Sequence, residues 1–353
     1  MLVVNAATIQ VAAVVAFYMS AALVMVFVNK AVLNNSPDLP LFFLLLQLLI
    51  AVVLLHASAL VSKRIEIPKL EAQTAKKLVP VVLVNVVGLV FNTLCLRDVE
   101  ASFFQIARGL VLPLTILVSS VHTRTSPTKK VLLAAGVVTL GFFIGVAPSK
   151  HLPASSKPSL LSLFYGILSS LFIAFHAVLI KSSLPHCNNS TIQLAWWTNF
   201  GSAIFLLPAV LLHGEFTLFW TKTNDASWDG TVFIWGTAIT GFFGFLLCIA
   251  GLLSIKITSP ITHMFSSAAR SVLQTLLGVW IFSDILTISR GTSILVILGG
   301  TMFYTWIKSQ APPPPPARTR AAEDLEAAES VPLTSSHDKP DDTPPEYSES
   351  QEK

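Results

Sequence analysis

The sequence predicts an all-α protein that crosses a membrane ten times, and three observations carry that expectation. Of its 353 residues, 53% are hydrophobic and only 12% are charged, with mean hydropathy +0.70. That is far more apolar mass than one water-facing fold could bury. The apolar residues also come in runs of about 17 to 25, the length a helix needs to cross ~30 Å of hydrocarbon. Finally, no stretch alternates apolar and polar residues as barrel strands do, and the closed barrel is the only other architecture that satisfies its backbone in lipid.

In chain order the expected spans are Val11 to Val28, Leu39 to Val61, Leu78 to Leu96, Ala101 to Val121, Val131 to Ala147, Leu160 to Ile180, Ile192 to Leu212, Thr231 to Leu253, Pro260 to Phe282 and Thr287 to Ile307. The first opens close to Met1 without a basic leader and outruns a signal-peptide core, so it reads as an uncleaved helix, with no room for a transit peptide. Glycines in the fifth and eighth spans, among them Gly136, Gly141, Gly145, Gly241 and Gly244, fit close helix packing. Lysine and arginine set the orientation: eleven in the loops of one face, Lys63, Lys76, Arg124, Lys181 and Lys308 among them, against six on the other, including Lys30, Arg97 and Arg290. Both termini are therefore expected in the cytosol.

Three features carry no chemistry of their own. Cys95, Cys187 and Cys248 form no CxxC or metal spacing and read as free thiols. The sequons at Asn188 and Asn189 fall in a cytosolic loop and read as chance matches. After Lys308 the composition turns to Pro312 through Pro316 and then to a Glu, Ala, Ser and Pro rich stretch. Residues 309–353 are accordingly expected to be a disordered cytosolic tail.

Charge inside the spans is the functional signal. Arg108 and Arg270 sit deep in apolar runs. A guanidinium at that depth costs roughly 2.5 to 3.5 kcal/mol on insertion scales, so it is expected to face a bundle interior or a wet cavity. An anionic substrate path is the direct reading. Arg108 could instead pair with Asp98 and Glu100. Carboxylates are confined to span ends and loops (Asp98, Glu100, Glu215, Asp225, Asp229, Asp284), which favours exchange of anions over a buried proton relay. No paired acids or metal spacing in a span point to an enzyme, and no metal or cofactor is expected.

The chain also resembles itself. Leu96 to Pro113 and Ile255 to Val272 share a basic connection, a small-residue helix start, a polar patch and an arginine further along. Five spans per half make two repeats, about 1–150 and 151–308, run through the bilayer in opposite directions, as in secondary transporters that hold substrate between halves.

Three strings carry a further resemblance: Phe27-Val28-Asn29-Lys30, Lys256-Ile257-Thr258-Ser259-Pro260-Ile261-Thr262-His263, and Ser266-Ser267-Ala268-Ala269-Arg270 with Gln274-Thr275. From Val24 to Trp306 the chain resembles the triose-phosphate and nucleotide-sugar transporters of the drug/metabolite transporter superfamily, and within them the GDP-fucose branch. That resemblance implies exchange of a nucleotide sugar for a nucleoside monophosphate across the Golgi membrane, with the endoplasmic reticulum as the alternative compartment. A UDP-sugar transporter, a sugar-phosphate exchanger and, further off, a membrane enzyme are the competing readings. Nucleic acid is not an expected partner.

The resemblance also implies site residues. A Phe-Tyr-Asn-Asn type motif maps onto Trp196, Trp197, Thr198 and Asn199, with Thr198 departing from asparagine. A Gly-x-x-x-Lys type motif maps onto Ser266 through Arg270, where arginine keeps the charge and offers a planar fork for phosphate. Thr262, His263, Gln274 and Lys30 complete the expected substrate contacts, with Arg108 supporting Arg270 from the other repeat.

Overall fold

The computed structural model describes residues 6–62, 65–147, 158–257 and 260–310, the side chains of 6–12, 248–257 and 260–268 excepted. Among these residues the secondary structure is helical, with no strand. The helices are α1 (Ala6–Asn35), α2 (Pro40–Val61), α3 (Ala72–Asp98), α4 (Ala101–Gly109), α5 (Val111–Thr123), α6 (Lys129–Val146), α7 (Leu160–Ser183), α8 (Thr191–Leu212), α9 (Glu215–Thr223), α10 (Gly230–Ile257), α11 (Pro260–Phe282) and α12 (Ile288–Ser309). Eight stretches among the described residues are long and apolar enough to cross a membrane: the part of α1 from Ala13, α2, α3, α4 with α5, α6, α7 with the turn after it, α8 and the first part of α10. The remaining two expected spans fall on α11, apolar over Ala269–Phe282, and on α12. Large apolar side chains such as Leu60, Phe143 and Leu295 are exposed, as a protein solvated by lipid requires.

Local chemistry sets several helix starts. Ser159, Ser190 and Thr287 each accept a hydrogen bond from the backbone N–H three residues on, at 3.0, 3.3 and 3.3 Å, and so begin α7, α8 and α12. The expected span Ala101 to Val121 is not one helix: it breaks at Leu110 into α4 and α5. Pro113 explains the break, because it has no N–H to give to the carbonyl of Gly109 four residues back. A further element, α9, forms where the sequence reading had a loop, after Gly214 turns the chain at φ 73°.

Packing follows a regular scheme. α1 lies along α10, α3 along α7 and α6 along α12, while α2 meets α8 and α10, α3 meets α8, and α4 meets α11. Exchanging α1, α2, α3, α4 and α6 for α7, α8, α10, α11 and α12 maps each of these pairings onto another of them or onto itself. The α6 and α12 pair is tight because α6 presents glycine there. A Cβ on Gly141 would lie 2.9 Å from Ile297 Cγ1, and Ser293 Oγ donates to the Gly141 carbonyl at 2.6 Å. Of the other glycines, Gly241 meets Ile50 of α2, whereas Gly136 has nothing near it and is not a packing position.

Candidate functional site

Arg108 sits in the last turn of α4, immediately before the break. At the break Ala107 O accepts the Leu110 N–H at 3.3 Å and also Ser170 Oγ of α7 at 2.9 Å. The guanidinium lies over the Phe104 ring, 5.7 Å from its centroid. It also lines a cavity of about 270 Å³ between α3, α4 and α7, whose polar wall is Asn85, Asn92 and His176. Arg270 projects from α11, with Nε buried and without a hydrogen-bond partner. α11 packs against α4, the helix that carries Arg108. Two like charges inside an apolar bundle repel, and neither has a carboxylate partner among the described residues. A buried charge without a counter-charge costs several kcal/mol.

The alternative pairing of Arg108 with Asp98 and Glu100 is not what the fold makes. Asp98 pairs with its neighbour Arg97 at 2.5 Å, and Glu100 pairs with Arg290. Arg290, counted from sequence as a loop charge, is in fact 1% exposed in the first turn of α12. It also donates to the carbonyl of Ile285 at 2.8 Å and lies over the ring of Phe103. Asp284 and Glu215 are buried as well, and each caps a distant helix. Asp284 Oδ2 accepts the Ser102 N–H of α4 at 3.0 Å, and Glu215 Oε2 accepts the Phe42 N–H of α2 at 2.7 Å. Ser283, at φ 56°, turns the chain out of α11 so that Asp284 can reach back. Burial holds both carboxyls above the usual carboxylate range, against the pull of those N–H bonds.

Over residues 9–305 the chain matches the Triose-phosphate Transporter family. The chain belongs to that family. Among its relatives in the family is GDP-fucose transporter 1 of Nematostella vectensis, 30% identical over 314 residues, which are 86% of this chain and 90% of that one. GDP-fucose transporter 1 of Dictyostelium discoideum is 29% identical over 302 residues, 84% and 80% of the two chains. A third, "GDP-fucose transporter, Golgi" of Drosophila melanogaster, is 27% identical over 307 residues, 84% and 89%. These relatives are named transporters, and this family member is a polytopic membrane transporter and not an enzyme.

The other expected contacts of this transporter are distributed unevenly. Lys30 of α1 donates through Nζ to the carbonyls of Leu96 and Arg97 at 2.9 and 3.0 Å, closing the end of α3. It lines a second polar cavity, about 230 Å³, with Asp98, Glu100, Asp284 and Arg290. Gln274 is fully buried on α11, and its Nε2 donates to Ala101 O of α4 at 3.4 Å. Trp196 stacks on Phe200 at 4.7 Å and stands edge-on to Trp197 and His56. Both tryptophans belong to an apolar cluster with Leu55, Leu78 and Val82 of α2 and α3, and neither lines the Arg108 cavity. Thr198 and Asn199 bond back to carbonyls of α8, Asn199 Nδ2 to Ala195 O at 2.7 Å, which leaves the Asn199 Oδ1 as an acceptor. The side chains of Thr262, His263 and Ser266 lie outside the described residues.

Sequence reasoning missed Asn85 and Asn92, although two asparagines seven residues apart inside one apolar span were a signal. It also missed Arg290, whose place in the first turn of a helix, where a cation is disfavoured, was the available hint.

Proposed function

We propose that this transporter exchanges a nucleotide sugar, GDP-fucose first among the candidates, for the corresponding nucleoside monophosphate across the Golgi membrane by alternating access. The observation that carries the reading is the pair Arg108 and Arg270: two guanidiniums from opposite halves of the chain, on the packed helices α4 and α11 and without carboxylate partners among the described residues. Phosphate oxygens complement such a pair through charge-assisted bonds. An empty carrier keeps its two cations uncompensated, which disfavours crossing without an anion and so favours obligatory exchange.

The architecture proposed is ten membrane helices in two inverted five-helix repeats of the drug/metabolite transporter type, over about 1–150 and 151–308. The exchange relation among the helix neighbours supports it, as does the discontinuous helix at Arg108, a feature of transporter sites near the bilayer midplane. With both termini in the cytosol, the cavity of Lys30 and Arg290 belongs to the luminal end. Names of relatives favour GDP-fucose and the Golgi over the UDP-sugar and sugar-phosphate readings.

The test is uptake of GDP-fucose into proteoliposomes preloaded with GMP, with UMP or with buffer. Rapid uptake against GMP alone is expected. Equal uptake into empty vesicles under a proton gradient overturns exchange, and preference for UMP with UDP-sugars moves the assignment to that class.

A further inference from the structure

Three polar side chains share the Arg108 cavity and have no role in the exchange reading so far. Asn85 and Asn92 are separated by seven residues on α3, close to two helical turns, and so share a face. His176 meets that face from α7. Their existing bonds leave complementary capacity. Asn85 Nδ2 donates to Ser202 Oγ at 3.1 Å, so its Oδ1 remains an acceptor. Asn92 Oδ1 accepts from Ser169 Oγ at 3.4 Å, so its amide N–H groups remain donors. Nε2 of His176 is buried with no hydrogen-bond partner, and an imidazole nitrogen serves either role according to tautomer. Between the asparagines, Gly88 lets α7 come close: a Cβ there would lie 3.1 Å from Phe172 Cβ.

We propose that this cavity receives the sugar ring of the nucleotide sugar, with Asn85, Asn92 and His176 reading its hydroxyls while Arg108 holds the phosphate bonded to the anomeric carbon. The proposal rests on the transport reading above and adds the position of the sugar. Connectivity decides between the two ends of the substrate. The sugar is attached directly to the terminal phosphate, whereas the base is a whole ribose further from either phosphate. A pocket with the phosphate-binding cation in its own wall therefore takes the sugar. A volume of about 270 Å³ accommodates one sugar ring. Hydroxyls donate and accept, which matches a wall offering an acceptor at Asn85, donors at Asn92 and either at His176. Phe172, Leu89 and Ile173 supply the apolar side that the C–H face of a sugar covers. The lining contains no carboxylate, so a cation is not the natural occupant.

The test compares two exchanges in the same vesicles: GDP-fucose against GMP, and GMP against GMP. Asn92→Ala and, separately, His176→Ala are expected to raise the KM for GDP-fucose about tenfold while leaving GMP self-exchange within about twofold, the loss expected of one or two hydrogen bonds. The two variants protect against one failing to fold, and thermal stability is read on both. Equal loss of the two exchanges in a stable protein places the base or phosphate here and overturns the proposal. Unchanged GDP-fucose kinetics in both variants overturn it as well. Wild-type vesicles that exchange GMP but refuse every nucleotide sugar defeat the transport reading itself, a result distinct from either.

Discussion

Arg290, in the first turn of α12, donates through Nη1 to Oε2 of Glu100, the residue just before α4, across 190 positions of sequence. The pair fastens the second half of the chain to the first beside Lys30 and Asp284, at the end proposed as luminal. A cation at a helix N-terminus opposes the helix dipole, so Arg290 is stable there because of its carboxylate and carbonyl partners.

Arg290→Ala leaves the Glu100 carboxylate without its partner in a mostly buried setting and is expected to cost about 3 kcal/mol of stability. The double change Arg290→Met with Glu100→Gln removes both charges and is expected to recover most of that loss. Thermal melting of the detergent-solubilised protein measures the cycle; a double variant as unstable as the single one argues that Arg290 acts by packing instead.

Arg270→Ala is expected to abolish exchange and to leave a folded protein, because removing an uncompensated cation relieves a desolvation cost. Arg270→Lys retains charge without the fork and is expected to keep part of the activity. Arg108→Ala is expected to weaken nucleotide-sugar affinity by about tenfold to a hundredfold, the worth of one charge-assisted bond. Uptake and ligand-induced thermal stabilisation, measured together, separate lost binding from lost folding. Normal stabilisation of Arg270→Ala by the nucleotide sugar makes that arginine structural.

Acid should stabilise the fold through Asp284 and Glu215. Burial raises both carboxyls in the folded protein, so each contribution is complete below the unfolded carboxylate range and is lost as pH rises through the folded value. Melting temperature is therefore expected to climb as pH falls through the raised folded values toward the ordinary carboxylate range. Asp284→Asn with Glu215→Gln should flatten that slope; an undiminished slope in the double variant assigns it to other groups.

Trp196→Ala opens a cavity beside Phe200 and His56 and is expected to cost about 3 to 5 kcal/mol. Asn199→Ala should barely change stability but alter the order in which different nucleotide sugars are accepted, if its free Oδ1 reads the base. Competition between GDP-sugars and UDP-sugars for uptake checks the second outcome, and an unaltered order excludes Asn199 from base recognition.

What the sequence determined by itself is what lipid solvation makes local. A run of about twenty apolar residues has one way to satisfy its backbone, so every expected span falls on helix. A lone arginine inside such a run stands out in the sequence alone, as Arg108 and Arg270 do. The tertiary structure decided whatever depends on a partner far along the chain. Arg290, Asp284 and Glu215 lie at span ends, where a charge is ordinarily solvated; they are buried because Glu100, Ser102 and Phe42, 190, 182 and 173 residues away, are brought to them. The face that Trp196 and Trp197 turn inward followed from which helices pack on α8, and the polar cavity at Arg108 exists because α7 closes on α3 over Gly88. Hydrophobicity is a property of a segment and can be read along it, whereas burial of a polar group belongs to a pair, and only folding brings the two members together.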